Sequence, residues 1–248
     1  MRKTPTPSQV SLYRKAIDAT KNGDIINAYS ILKKLHNANK EWHEPFFILC
    51  ELALTRSVQC PKNEIQKWVS KLEDSKYSNN ETAFYLRSLD SEYVNELNEA
   101  KKLLKTSLKI NHSYHAAKQR LASVYIKLED WVAAESLLID QLNIYPKQTH
   151  LLANLSVALL RQNRLTEALD AAQESAKYAS QFQLASVYLN LGTIHQELGD
   201  KTIAKNYYAK TISKAPDNKN AFLNLGVLAL QEKDFVDAEI KFRKVLNL

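Results

Sequence analysis

Six histidines, two cysteines and four glycines are the residues through which this 248-residue sequence would perform metal, covalent or phosphate chemistry. The histidines are His36, His43, His112, His115, His150 and His195. A zinc site needs about four Cys, His or carboxylate ligands converging in a tetrahedron. His112 and His115 lie three residues apart, but no cysteine stands near them to complete a set. No serine, histidine and aspartate fall into a pattern that supports a nucleophile with its base. Cys50 and Cys60 are too few for a disulfide framework or a zinc cage. Lys101, Lys102, Lys105 and Lys109 form a basic stripe at helical spacing, read as an outward, solvated face or, alternatively, as a contact for an acidic protein or RNA. The sequence therefore offers no catalytic, cofactor-binding or metal-binding residue, and the chain is expected not to be an enzyme.

The elements behind these residues are helices. Four glycines in 248 residues fall well below the average of roughly 7%. Strand-and-turn folds and phosphate-cradling loops need glycine at tight backbone positions, so both are disfavoured. Apolar residues make up 45% and charged residues 25%, as in an ordinary folded protein. The net charge of +7 favours an acidic partner or nucleic acid only weakly, because lysines and carboxylates are interleaved along most of the chain. No stretch approaches 18 apolar residues, so no membrane span is expected. At the amino end Arg2 and Lys3 are followed by Pro5 and Pro7 in place of the apolar run of a signal peptide. A cytoplasmic location is the expectation.

A repeat organises the helices. Segments beginning at His150, Ser186 and Asn220 align so that Leu155, Leu191 and Leu225 correspond, and Leu121 continues the series backwards. The spacing is close to 34 residues. The segments HLLANLSVALLRQNRLTEAL, SVYLNLGTIHQELGDKTIAK and NAFLNLGVLALQEKDFVDAE resemble the tetratricopeptide repeat, a helix–turn–helix unit of that length. Following the resemblance, the chain divides into an amino-terminal tail, 1–8, and repeats 9–42, 43–80, 81–114, 115–148, 149–184, 185–218 and 219–248. The family requires a small residue at position 8 of the first helix (helix A). Here that position holds Ala16, Cys50, Ser88, Ala122, Ser156, Gly192 and Gly226. Position 20, on helix B, holds Ala28, Ala100, Ala134, Ala168, Ala204 and Ala238, and only the second repeat departs. Gly23 and Gly199 fall at position 15, in the turn between the two helices, and Pro146 and Pro216 at position 32, where helix B ends. Every glycine thus has a packing or turn role. The second repeat runs to 38 residues, with a loop near 57–63 and a helix B lacking the alanine. Two extra residues lengthen the fifth.

The resemblance implies an all-α, right-handed superhelical solenoid with helices A on its concave face, and a protein-interaction scaffold that holds a peptide or partner segment in that groove. Position 6 of helix A lines the groove in this family. It reads Arg120, Asn154, Asn190 and Asn224 in four successive repeats. An asparagine amide offers donors and an acceptor and can bond a peptide backbone without reading its side chains. A similar ladder lines the repeat region of O-linked N-acetylglucosamine transferases. Arg120 adds a cation suited to a carboxylate. Positions 5 and 9 offer no lysine–asparagine pair, so the chaperone-tail clamp of some relatives is not expected. Two other readings stay open: a substrate-docking region of a larger glycosyltransferase, sulfotransferase or oxygenase, and nucleic-acid binding, which salt-dependent binding to RNA would support. The apolar residues of the last helix, Phe235, Ile240, Phe242, Val245, Leu246 and Leu248, suggest self-association through the C-terminal repeat, or a chain that continues past Leu248.

Overall fold

The computed structural model describes residues 4–77 and 79–248. Among them are fourteen α-helices, one 3-10 turn at Ser75–Tyr77 and no strand. The helices are α1 (Pro7–Lys21), α2 (Ile25–Ala38), α3 (His43–Leu54), α4 (Lys62–Leu72), α5 (Glu81–Tyr93), α6 (Leu97–Ile110) and α7 (His115–Lys127). They continue as α8 (Trp131–Ile144), α9 (Thr149–Arg161), α10 (Leu165–Tyr178), α11 (Leu184–Glu197), α12 (Lys201–Lys214), α13 (Lys219–Gln231) and α14 (Phe235–Leu246). Odd-numbered helices are helices A and even-numbered ones helices B. The result is an all-α array of seven helix pairs. α1 takes in the last two residues of the expected tail. Pro7 is preset for the first helical turn, and Thr6 and Gln9 exchange backbone-to-side-chain bonds of 3.2 and 2.9 Å.

The chain forms two compact units, Met1–Arg120 and Leu121–Leu248, divided within α7. In each unit the small residues sit where helices cross. All seven position-8 residues and all six position-20 alanines are buried. The residue opposite position 8, at position 24 of helix B, varies in compensation. Alanine or serine at position 8 goes with Leu32, Leu104, Leu138 or Ala172, and glycine goes with an aromatic ring. A Cβ on Gly192 would lie 2.5 Å from Tyr208 Cε1, and one on Gly226 would lie 2.7 Å from Phe242 Cε1. Glycine is needed there because the ring occupies the space of its missing side chain.

Six of the seven A-to-B turns are three residues long and share one geometry. Gly23, Asn95, Glu129, Asn163, Gly199 and Lys233 have left-handed φ between 58° and 88°. The next residue's N–H bonds the carbonyl five residues back, as Asp130 does to Tyr125 at 2.9 Å. Gly23 and Gly199 take the turn position expected of them, and four non-glycine residues share its left-handed form. The helix-closing hydrogen bonds hold the other four in place despite a left-handed penalty of about 1–2 kcal/mol. A second feature was not anticipated: Ser107, Gln141, Ser175 and Thr211, all on helices B, are fully buried polar residues. Ser107 and Ser175 donate to the carbonyls of Glu81 and Thr149, the first residues of their partner helices A. Those bonds satisfy both the hydroxyls and a backbone acceptor.

Candidate functional site

In the second unit, α9, α11 and α13 present Asn154, Asn190 and Asn224 at equivalent half-buried positions. The amide of Asn190 has work within the fold. Its Nδ2 donates to the Ala153 carbonyl (3.2 Å) and to Ser156 Oγ (3.4 Å), both on the preceding helix A. Ser156 in turn donates to the same Ala153 carbonyl at 2.7 Å. Asn190 therefore joins neighbouring repeats, a role that the sequence did not disclose. The signal was there in part, since Ser156 occupies the small-residue position opposite. Using the N–H groups of Asn190 in this way fixes its side chain and leaves its Oδ1 as an acceptor. Within the α11–α12 pair the Tyr208 hydroxyl donates to Gln196 Oε1 at 2.9 Å.

Beside the asparagines, positions 5 and 9 carry Ala153 and Val157, Leu189 and Thr193, and Leu223 and Val227. All are half-buried except Leu223, which is 44% exposed. The helix-A face of this unit thus alternates amides with apolar side chains. Arg120 belongs to the first unit, where its Nε lies 2.7 Å from Oε1 of the almost fully buried Glu92. Its guanidinium is held by that pair within its own unit. In the final pair Phe235, Val236, Ile240 and Leu246 are exposed, whereas Phe242 packs on Gly226.

The titratable side chains are used for packing. His36 stacks on Phe46 at 4.9 Å and His195 on Tyr207 at 5.6 Å, with His195 Nδ1 3.1 Å from Asp200 Oδ2. Burial, aided by Lys71, Lys40, Lys76 and His43, brings the His36 pKa down to about 4. Burial pushes the thiols of Cys50 and Cys60 up, so neither is an activated nucleophile. Among the described residues no three His, Cys, Asp or Glu side chains converge as a metal site, and no helix is long and apolar enough to cross a membrane. Lys102, Lys105 and Lys109 are exposed on α6, and Lys102 pairs with Glu99 at 3.4 Å.

No curated protein matches the sequence. Among solved structures the chain is similar to YrrB, described as a TPR protein with an unusual peptide-binding site, at 20% identity and a TM-score of 0.57, over 77% of this chain and 95% of that one. It is similar to pilF of Pseudomonas aeruginosa at 21% identity and a TM-score of 0.58, over 67% and 75%. It is also similar to yeast Tom70 at 16% identity and a TM-score of 0.57, over 97% of this chain and 50% of that one. At such identities the likeness is one of fold. Profiles of the family described as Tetratricopeptide repeat match residues 119–152 and 189–247. With small residues buried at the crossings and a helix pair repeated seven times, these matches lead to one conclusion: residues 119–152 and 189–247 carry tetratricopeptide repeats, and the fold is that of an all-α helical-repeat solenoid of the tetratricopeptide type.

Proposed function

We propose that the chain is a protein-interaction scaffold and that the helix-A face of its second unit binds an extended peptide. The observation that carries the proposal is the alternation of Asn154, Asn190 and Asn224 with half-exposed apolar side chains on three consecutive helices A. Asn190 is positioned by its bonds to Ala153 and Ser156, and its free Oδ1 suits a peptide N–H. Preorganised acceptors lower the entropic cost of holding a flexible ligand. Ala153, Leu189 and Leu223 favour apolar side chains in the ligand over an acidic tail. The peptide-binding site named for YrrB, on the same fold, supports this reading.

The test is a selection from displayed random twelve-residue peptides against the full chain, followed by titration of a synthetic winner. Asn154→Ala, Asn190→Ala and Asn224→Ala together should weaken binding by at least about tenfold, because each net hydrogen bond contributes roughly 0.5–1.5 kcal/mol. Leu223→Asp should weaken it too. Because Asn190 also joins repeats, Leu223→Asp is the cleaner variant. Selected peptides that bind both variants with undiminished affinity would remove this face from consideration.

A further inference from the structure

The second helix pair departs from the repeat, and the departure opens a cavity. Its A-to-B connection has seven residues, 55–61, where the other six pairs have three. The left-handed residue, Arg56 (φ 57°), comes one register position early, and Val58 N–H bonds the Leu52 carbonyl at 3.3 Å in place of the usual closing bond. The fourth residue of every other helix B is a buried alanine; in α4 it is Ile65. A branched four-carbon side chain at a close crossing keeps α4 from lying against α3 as the other helices B lie on their partners.

The space left is a cavity of about 630 Å³, walled on its apolar side by Ala53, Leu54, Val58, Ile65, Tyr93 and Val94. This lies within the range of roughly 300–1,000 Å³ typical of sites that enclose a ligand group. Tyr93 and Val94 stand at its mouth with 51% and 53% of their surface exposed. Asp90 forms part of the wall. Its carboxyl is half-buried, and among the described residues no cation and no side-chain hydrogen bond acts on it. Burial raises its pKa most, and the carboxylates of Glu96 and Glu73 raise it further. Arg56 and Lys62 also line the cavity, but neither acts on Asp90, and Arg56 lies with its guanidinium 4.3 Å over the Tyr93 ring.

We propose that this cavity is a second binding site, which takes a large apolar side chain of a partner protein flanked by a lysine or arginine that pairs with Asp90. The apolar walls supply the contact area, and the uncompensated carboxylate supplies the sign of the charge. An acidic segment would bring further negative charge against Asp90, on which the carboxylates of Glu96 and Glu73 already act, and is disfavoured beside it. The site is separate from the asparagine face and does not depend on that face binding anything.

The probes are two small peptides, N-acetyl-phenylalanyl-arginine amide and N-acetyl-phenylalanyl-glutamate amide, titrated into the isotope-labelled full chain and followed by NMR. The arginine peptide should shift backbone signals of residues 53–65 and 90–94 saturably, and the glutamate peptide should not. Asp90→Asn, nearly isosteric and safe for folding, should weaken the arginine peptide roughly tenfold, as expected for losing a hydrogen bond to a charged group. Asn154→Ala with Asn224→Ala should leave it unchanged. Equal responses to both peptides, an unaltered affinity in Asp90→Asn, shifts confined to other residues, or no saturable shift at all would each overturn the proposal.

Discussion

Replacing Gly192 with alanine should destabilise the protein, although alanine is the better helix former by about 1 kcal/mol. The added methyl would sit 2.5 Å from Tyr208 Cε1, 2.7 Å from Cδ1 and 3.2 Å from Cζ. Carbon atoms in contact prefer about 3.5–4.0 Å, so ring or helix must move by about 1 Å. Tyr208 has no exposed surface, and its hydroxyl is held by Gln196 at 2.9 Å. A ring held at both ends cannot yield cheaply. Overpacking of this kind costs about 1–3 kcal/mol, and straining the hydroxyl bond adds up to about 1 kcal/mol. After the helix-propensity gain is subtracted, the net loss reaches up to about 3 kcal/mol. The informative partner is Tyr208→Leu. Together the two substitutions recreate the alanine–leucine pairing of Ala16 with Leu32 and of Ala122 with Leu138. The double variant should therefore be more stable than the sum of the single effects predicts, by about 1 kcal/mol or more. Urea unfolding of the four proteins measures this coupling. A Gly192→Ala protein at least as stable as the parent, or strictly additive effects, would refute the packing argument.

Glycine at a left-handed turn position should help where a side chain now stands. Lys233→Gly and Glu129→Gly are each expected to raise stability by about 0.5–1 kcal/mol in urea unfolding, the left-handed penalty exceeding the entropy that glycine loses. His36 should impose an acid limit. Its folded pKa of about 4 lies below its unfolded value of 6.5, so the unfolded chain takes up a proton first. The resulting stability loss begins as pH falls through about 6.5 and levels off below about 4, amounting to roughly 1–3 kcal/mol. His36→Phe should flatten that part of a Tm-against-pH curve, and an unchanged slope would show that His36 is not its source.

The parts of the fold legible in the sequence are those where packing restricts side-chain size. A close crossing admits few side chains, so Ala28, Ala100, Ala134, Ala168, Ala204 and Ala238 announce themselves at fixed spacing, and all are buried. The turns were less legible because backbone hydrogen bonds, not residue type, set their geometry; Asn95, Glu129, Asn163 and Lys233 adopt the same left-handed form as Gly23 and Gly199. The asparagine series could be seen in the sequence, but the use of Asn190 to clasp the preceding helix could not, because its partners are a carbonyl and a hydroxyl on another repeat. Asp90 gave no signal at all, since its environment is made by a loop whose length, but not whose path, the sequence reveals.

The second pair shows how one packing rule yields both a regular array and a site. Elsewhere the sizes at positions 8 and 24 trade against each other, so that glycine meets tyrosine or phenylalanine and alanine meets leucine, and the alanine at position 20 lets the helices close. Ile65 breaks the last of these conditions. α4 then leans on other supports: Trp68 meets Phe46 edge-on at 6.5 Å, Tyr77 stacks with Phe46 at 6.5 Å, and Lys33 pairs with Glu64 at 2.9 Å. The Trp68 and Glu64 contacts hold α4 on one side, and the cavity lies beside Ile65. The Tyr29 hydroxyl reaches Cys60 Sγ at 3.7 Å, which ties down the long connection at the cavity's edge. A helix held by Trp68 and Glu64, with its connection tied through Cys60, keeps the opening in place, and constancy of shape is what separates a binding site from a packing defect.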